Sequence, residues 1–228
     1  MSACDNCCVY NSCGKIAKGE VELTDYCIRK FKMNALFDAA LMSDKQRRTQ
    51  PLRYDADGTD REQFVRLNEI SQHISQFVKD SRNLYLFSAG CGNGKTSWAL
   101  RMLQEYVRQN WFRVDLKPLV LFINVPKFFL MLKDNISQKN EYIAHIKECV
   151  AECDIVVWDD IGTKMGTEFE VENLLNIINN RIDESKTNIY TSNITPDQLR
   201  ARVGERLYSR IINMSEVIEL KGADKRGV

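Results

Sequence analysis

One stretch constrains the chain more than any other: Ala89-Gly90-Cys91-Gly92-Asn93-Gly94-Lys95-Thr96-Ser97. An apolar run, Leu84-Tyr85-Leu86-Phe87, precedes it and reads as a buried strand. Trp98-Ala99-Leu100-Arg101-Met102-Leu103 follows it and reads as a helix. Strand, glycine-rich loop, Gly-Lys-Thr and helix together are the setting of a phosphate-binding P-loop. Glycines let successive backbone N–H groups turn toward an anion, and the helix adds its positive N-terminal end. Lys95 would reach the β- and γ-phosphates, and the Thr96 hydroxyl would ligate Mg²⁺. Gly90, Cys91, Gly92, Asn93, Gly94 and Ser97 would form the remaining cradle. One position departs from the motif: Ala89 stands where its first glycine belongs, with Gly90 beside it.

The rest of the chain supplies an α/β setting. Four further strands are predicted, at Leu119–Asn124, Asp154–Asp160, Thr187–Thr191 and Val217–Leu220. Between them fall helical stretches at about 126–134, 140–151 and 168–184, a short helix from Pro196, and another over 204–212. Strands separated by helices imply a parallel five-stranded sheet flanked by helices, with its ligand at the strands' carboxyl ends. Upstream, Thr59-Asp60-Arg61-Glu62 reads as a capping box opening one long amphipathic helix, in which His73 is a surface or satisfied histidine and not a ligand. Ser43 to Gly58 is polar and reads as a linker, dividing an amino-terminal module of residues 1–50 from a nucleotide-binding domain of residues 51–228.

A second half of the site follows downstream. Ile155-Val156-Val157-Trp158-Asp159-Asp160 is an apolar strand delivering two acids at its end, the Walker B pattern. Asp159 would hold Mg²⁺ through its water shell. Asp160 would orient and polarise an attacking water. Asn193, after the fourth strand, is placed to sense the γ-phosphate. Arg206 and Arg210 lie four apart on one helical face.

Five of the 8 cysteines fall within the first 27 residues: Cys4, Cys7, Cys8, Cys13 and Cys27. Cys4 and Cys7 form C-x-x-C, and with Cys13 and Cys27 they would make a four-cysteine zinc site, Cys8 being a substitute ligand. An iron–sulfur cluster and free thiols are the alternatives. Thr24 to Met42 reads as a helix whose apolar face needs a partner. The net charge is +1, too near neutral to hold duplex DNA by charge alone. The start carries no signal-peptide core and no run approaches a membrane span, so a cytoplasmic protein with reduced cysteines is expected.

With these motifs in hand, the stretch from about residue 60 to 221 resembles the AAA+ ATPases of the DnaC/DnaI helicase-loader group, especially phage and mobile-element members. The resemblance rests on the P-loop, Asp159-Asp160, Asn193 and Arg206/Arg210. It implies an ATPase that uses ATP and Mg²⁺, self-associates through ATP, and delivers a DnaB-type replicative helicase onto single-stranded DNA. It implies that Arg210 is a finger reaching a neighbour's ATP, that Arg226 is the late candidate for a sensor, and that Asn124 is a polar switch restraining the base. Many members carry glutamate where Asp160 stands. The helical insertion between the second and third strands resembles the part of such proteins that lines a single-strand channel, with Lys127, Lys133 and Lys139 its local cations. The cysteine module resembles the metal domain with which loaders grip the helicase. Only eight residues follow Leu220, so no helical lid is expected. Two rival functions remain: a transposition helper (IstB-like) that binds DNA and recruits a transposase, and a small-molecule P-loop kinase.

Overall fold

The computed structural model describes residues 25–47, 52, 58–113, 118–137, 141–163 and 167–225, without the side chains of 25–30 and 134–137. Among these, five strands form one sheet in the order β2-β3-β4-β1-β5, every neighbouring pair parallel. The strands are β1 (Asn83–Phe87), β2 (Val120–Asn124), β3 (Ile155–Asp159), β4 (Thr187–Ser192) and β5 (Ser215–Glu219). All five lie within two residues of the predicted runs. Each of β1 to β4 is buried almost throughout, which is why each reads as a continuous apolar run and not as an alternation.

The two faces of the sheet bury different sets. Tyr85, Phe87, Leu121, Ile123, Val156, Trp158 and Tyr190 face α6 (Val125–Ser137), α7 (Glu141–Glu152), α8 (Glu168–Asp183) and α9 (Pro196–Ile212). Leu84, Leu86, Val120, Phe122, Ile155, Val157 and Ile189 face the other layer. That layer holds α1 (Asp25–Ala39), α3 (Arg61–Gln72), α4 (Ile74–Lys79) and α5 (Lys95–Asn110), with α2 (Asp44–Arg47) packed on α5. The chain leaves β1 in one direction along the sheet, toward β2, and makes every later crossover in the other. Crossovers of one hand then place α5 opposite α6 to α9. A crevice opens at the carboxyl end of β1, where the direction reverses.

Three expectations change. The stretch 43–58 is not wholly a linker, because 44–47 form α2, whose Gln46 carbonyl accepts from Gln104 Nε2 on α5 at 2.8 Å. The long helix before β1 is two helices, broken at His73, which is exposed as expected. The capping box predicted at 59–62 would put the cap at Thr59, whereas the cap residue of α3 is Asp60. Asp60 has φ 65° and makes no side-chain cap; its carboxylate accepts from Lys221 N at 2.8 Å and Gly222 N at 2.7 Å. Capping boxes stand elsewhere, at Thr167/Glu170 opening α8 and Thr195/Gln198 opening α9. The two short helices predicted around Gly204 are both present: α9 is two helical halves that meet at a kink at Gly204, with φ 74° and ψ 168°.

Candidate nucleotide site

The loop between β1 and α5 turns on two glycines in the left-handed region, Gly92 at φ 79° and Gly94 at φ 96°. Gly94 is the residue from which α5 starts, so Lys95 and Thr96 sit on the helix's first turn. Ala89 costs the loop nothing, since neither it nor Gly90 has positive φ. A cavity of about 500 Å³ lies over the loop, lined by residues 91 to 98 together with Leu52, Asp159, Asp160, Thr191, Asn193 and Lys225. Gly90 lines a neighbouring cavity beside the chain's last described residues.

The lysine is buried, 6% exposed, and its Nζ donates to Gly90 O at 2.9 Å. A buried ammonium beside a glycine turn at a helix N-terminus is arranged to receive an anion. Opposite it, β3 and β4 end side by side. Asp159 accepts on Oδ1 from the hydroxyls of Thr96 and Thr191, each at 2.8 Å, and on Oδ2 from Asn124 Nδ2 at 3.3 Å. A carboxylate and a hydroxyl in contact are hard oxygen donors that fit Mg²⁺.

Asp160 steps out of the strand with φ 62°. Its N–H donates to Thr191 Oγ1 at 3.1 Å, and its Oδ1 accepts from Asn193 Nδ2 at 2.8 Å and Thr163 Oγ1 at 2.6 Å. Asn193 is held by the turn after β4, under which Tyr85 Oη donates to Ile194 O at 3.3 Å. Burial pushes the Tyr85 phenol up to about 12, so it stays a neutral donor there.

Thus Lys95, Thr96, Asp159, Asp160 and Asn193 come together as the sequence predicts. Asn124 does not meet the base. It stands level with Asp159 across the β2–β3 pairing, and its amide reaches that carboxylate instead. Arg206 and Arg210 are exposed on α9 and do not line this chain's own cavity. Lys133 pairs with the buried Glu170 at 2.8 Å, which takes it away from the role of a loose basic group; Lys127 is exposed. Lys139, Arg226, Cys4, Cys7, Cys8 and Cys13 lie outside the described residues, and Cys27 is described only as part of α1. Among the described residues no group of three or more His, Cys, Asp or Glu side chains is placed to hold a metal.

The sequence reading missed Thr191, Thr163, Asp60 and Lys225. Thr191 and Thr163 had a local signal, hydroxyls two residues before Asn193 and three after Asp160. Asp60 and Lys225 act through contacts made by folding. After β5 the chain crosses back over the P-loop: Asn93 Nδ2 donates to Gly222 O, and Lys225 N donates to Gly92 O at 3.1 Å. That strap brings Lys225 to the cavity wall.

A strand-loop-helix phosphate cradle facing two acids from β3, with β4 lying between that strand and β1, defines a P-loop nucleotide-binding protein of AAA+ architecture. The model of the family described as IstB-like ATP binding protein matches residues 20–227, and the chain belongs to that family. No curated protein matches the chain in sequence. Among solved structures, the DnaC helicase loader is similar, with TM-score 0.64 and 17% identity, over 78% of this chain and 100% of that one. DnaI is similar too, with TM-score 0.61 and 20% identity, over 82% and 95%. So is the replication initiator DnaA bound to AMPPCP and single-stranded DNA, with TM-score 0.62 and 16% identity, over 80% and 52%. At such identities these likenesses are of fold. Among the described residues no helix is long and apolar enough to cross a membrane.

Proposed function

We propose that this chain is an ATP- and Mg²⁺-dependent switch that hydrolyses ATP and loads a DnaB-type replicative helicase onto single-stranded DNA. The observation that carries hydrolysis is the placement of Asp160, held by Asn193 at 2.8 Å on the wall of the same cavity as Lys95. Lys95 and the loop bind the phosphates, and Thr96 with Asp159 would hold Mg²⁺, which supplies charge neutralisation when bound. Asp160 takes the proton side of an incoming water and Asn193 fixes its orientation. Arg210, or failing it Arg206, completes a neighbour's site in trans, so ATP joins protomers and hydrolysis releases them. The cysteine-rich residues 1–50 bind zinc and grip the helicase, and the exposed Lys127 on α6 meets the single strand. The likeness in fold to DnaC and DnaI supports this reading.

A second reading has its own support. The family match favours, equally, a transposition helper that binds duplex DNA and recruits a transposase. One experiment separates them. The full chain with ATP is mixed with a DnaB-type hexamer and single-stranded DNA, and separately with duplex DNA, and complexes are resolved by size. A helicase complex that needs residues 1–50 and ATP is expected. ATP-dependent filaments on duplex DNA with no helicase binding would transfer the assignment to the transposition role.

A further inference from the structure

We propose that Thr163 and Arg202 are positioning residues for Asp160, and that through them the placement of α9 sets the geometry of the base. This rests on the reading of Asp160 as the residue that activates water.

Among the described residues, the Asp160 carboxylate is held on one oxygen only. Both Thr163 Oγ1, at 2.6 Å, and Asn193 Nδ2, at 2.8 Å, donate to Oδ1, which leaves Oδ2 for water. The backbone at Asp160 has φ 62°, a conformation an L residue keeps only when its surroundings hold it. Part of that hold is Thr163, three residues on, and Thr163 is in turn fixed from outside the loop. Arg202 Nη1 donates to Gly162 O and to Thr163 O, each at 2.7 Å. Gly162 has φ 83°, and a Cβ there would lie 2.7 Å from Leu199 Cδ1 and 2.8 Å from Ile194 Cδ1. The loop after β3 is therefore seated directly on the first half of α9, with no room for a side chain between them.

The second half of α9 is joined to the first across the break at Gly204. Arg200 Nε pairs with Glu205 Oε2 at 2.5 Å, and the Arg200 guanidinium lies 5.5 Å from the centre of the Tyr208 ring. This second half carries Arg206 and Arg210, both exposed. A neighbour that engages those arginines moves a helix whose other half holds the loop carrying the base. From Arg202 on α9 the contacts run to Thr163 and then to Asp160, each of these two steps a hydrogen bond. A purely structural role for Arg202 would be to fasten the loop after β3, and its removal would then leave turnover unchanged.

The test uses the full chain under the conditions that support its turnover, with kcat measured by phosphate release and affinity by a fluorescent ATP analogue. Thr163→Val keeps the shape and removes the donor; Arg202→Gln removes the guanidinium. Each should lower kcat by about 5- to 20-fold while analogue affinity stays within about twofold, because misplacing a base costs rate and not binding. Thr163→Ser should restore most of the rate. The double variant should be no slower than the slower single within about threefold, since both act on one carboxylate. Normal kcat in either single variant, a parallel loss of analogue binding, or multiplicative losses in the double variant would overturn the coupling. Asp160→Asn is the control for the underlying reading. If it turns over ATP at the wild-type rate, Asp160 is not the base and both ideas fall. If it is inactive while Thr163→Val is normal, only the coupling falls.

Discussion

The Thr96 hydroxyl donates to Asp159 Oδ1 at 2.8 Å, joining the P-loop helix to the end of β3. This contact makes one site of two motifs that are far apart in sequence. Asp159 accepts three donors from three elements, Thr96, Thr191 and Asn124, so its charge is both needed and compensated. Asp159→Asn keeps the shape, removes the anion and turns one acceptor into a donor facing hydroxyls. We expect Mg²⁺-dependent phosphate release to fall by about two orders of magnitude, with analogue binding in the absence of Mg²⁺ little changed. Full Mg²⁺-dependent turnover in the Asp159→Asn protein would remove Asp159 from the metal site.

Away from the cavity, Arg181 is the group on which the opposite end of the sheet depends. It is 1% exposed on α8. Its guanidinium donates to Cys153 O at 3.1 Å, Thr187 O at 2.7 Å and Asn188 Oδ1 at 2.8 Å, and also to Val150 O. Burial lowers its pKa, the usual sign of a desolvated cation. Arg181→Met leaves those carbonyls buried without a donor. The expected loss is about 3–5 kcal/mol of unfolding free energy. Chemical denaturation should show it, and a loss below about 1 kcal/mol would mean that water replaces the guanidinium.

The same residue marks where the sequence stops being informative. β1 to β4 are legible because burial on both faces leaves apolar runs, and the P-loop is legible because phosphate chemistry demands a fixed local spacing. Asp159 and Asp160 are legible because the strand that delivers them is. Arg181 looks in the sequence like any charge in the last turn of a helix. Asp60 looks like a helix cap, yet its partners, Lys221 and Gly222, lie at the far end of the chain. Asn124 is placed correctly at a strand end but meets Asp159, because register decides which neighbour it faces. In each case the missing information is a long-range juxtaposition, which periodicity and local spacing do not encode.

Acid should weaken the edge of the sheet first. Glu216 on β5 is bonded by Arg66 from α3, at 2.6 Å to Oε1, and by Arg82, at 2.5 Å to Oε2. These partners, Arg66 foremost, hold the Glu216 carboxyl below the usual carboxylate range. A depressed folded-state pKa contributes stability above the unfolded value of about 4.3, and that contribution is lost as pH falls through and below it. Glu216→Gln should therefore cost about 0.5–1 kcal/mol at neutral pH, a small figure because the cluster is partly exposed. The cost should fade toward pH 3. Thermal melts of both proteins from pH 7 to pH 3 check this, and a constant difference across the range would contradict it.

The strap over the P-loop gives the last prediction. Gly92 sits at φ 79°, and a Cβ added there would lie 1.7 Å from Asp224 Oδ1. Any side chain at 92 must therefore both hold a left-handed backbone, at a cost of about 1–2 kcal/mol, and push the strap away. The strap matters to the loop because Lys225 N donates to Gly92 O at 3.1 Å and Asn93 Nδ2 donates to Gly222 O. At its other end Asp60, 8% exposed, fixes the strap through two backbone amides. A strap fastened at both ends holds the cradle in the conformation that lines the cavity, so releasing either end should cost nucleotide affinity. Gly92→Ala is expected to weaken binding of a fluorescent ATP analogue by about tenfold or more, from the two penalties together. Gly92→Ala/Asp224→Gly removes the clash but not the backbone strain, and should recover part of the loss. Asp60→Ala leaves the P-loop sequence intact and should still weaken binding, by about three- to tenfold, because the two amides lose their charged acceptor. If Asp60→Ala binds the analogue as tightly as the wild type while remaining folded, the strap does not support the cradle, and the Gly92→Ala effect belongs to backbone strain alone.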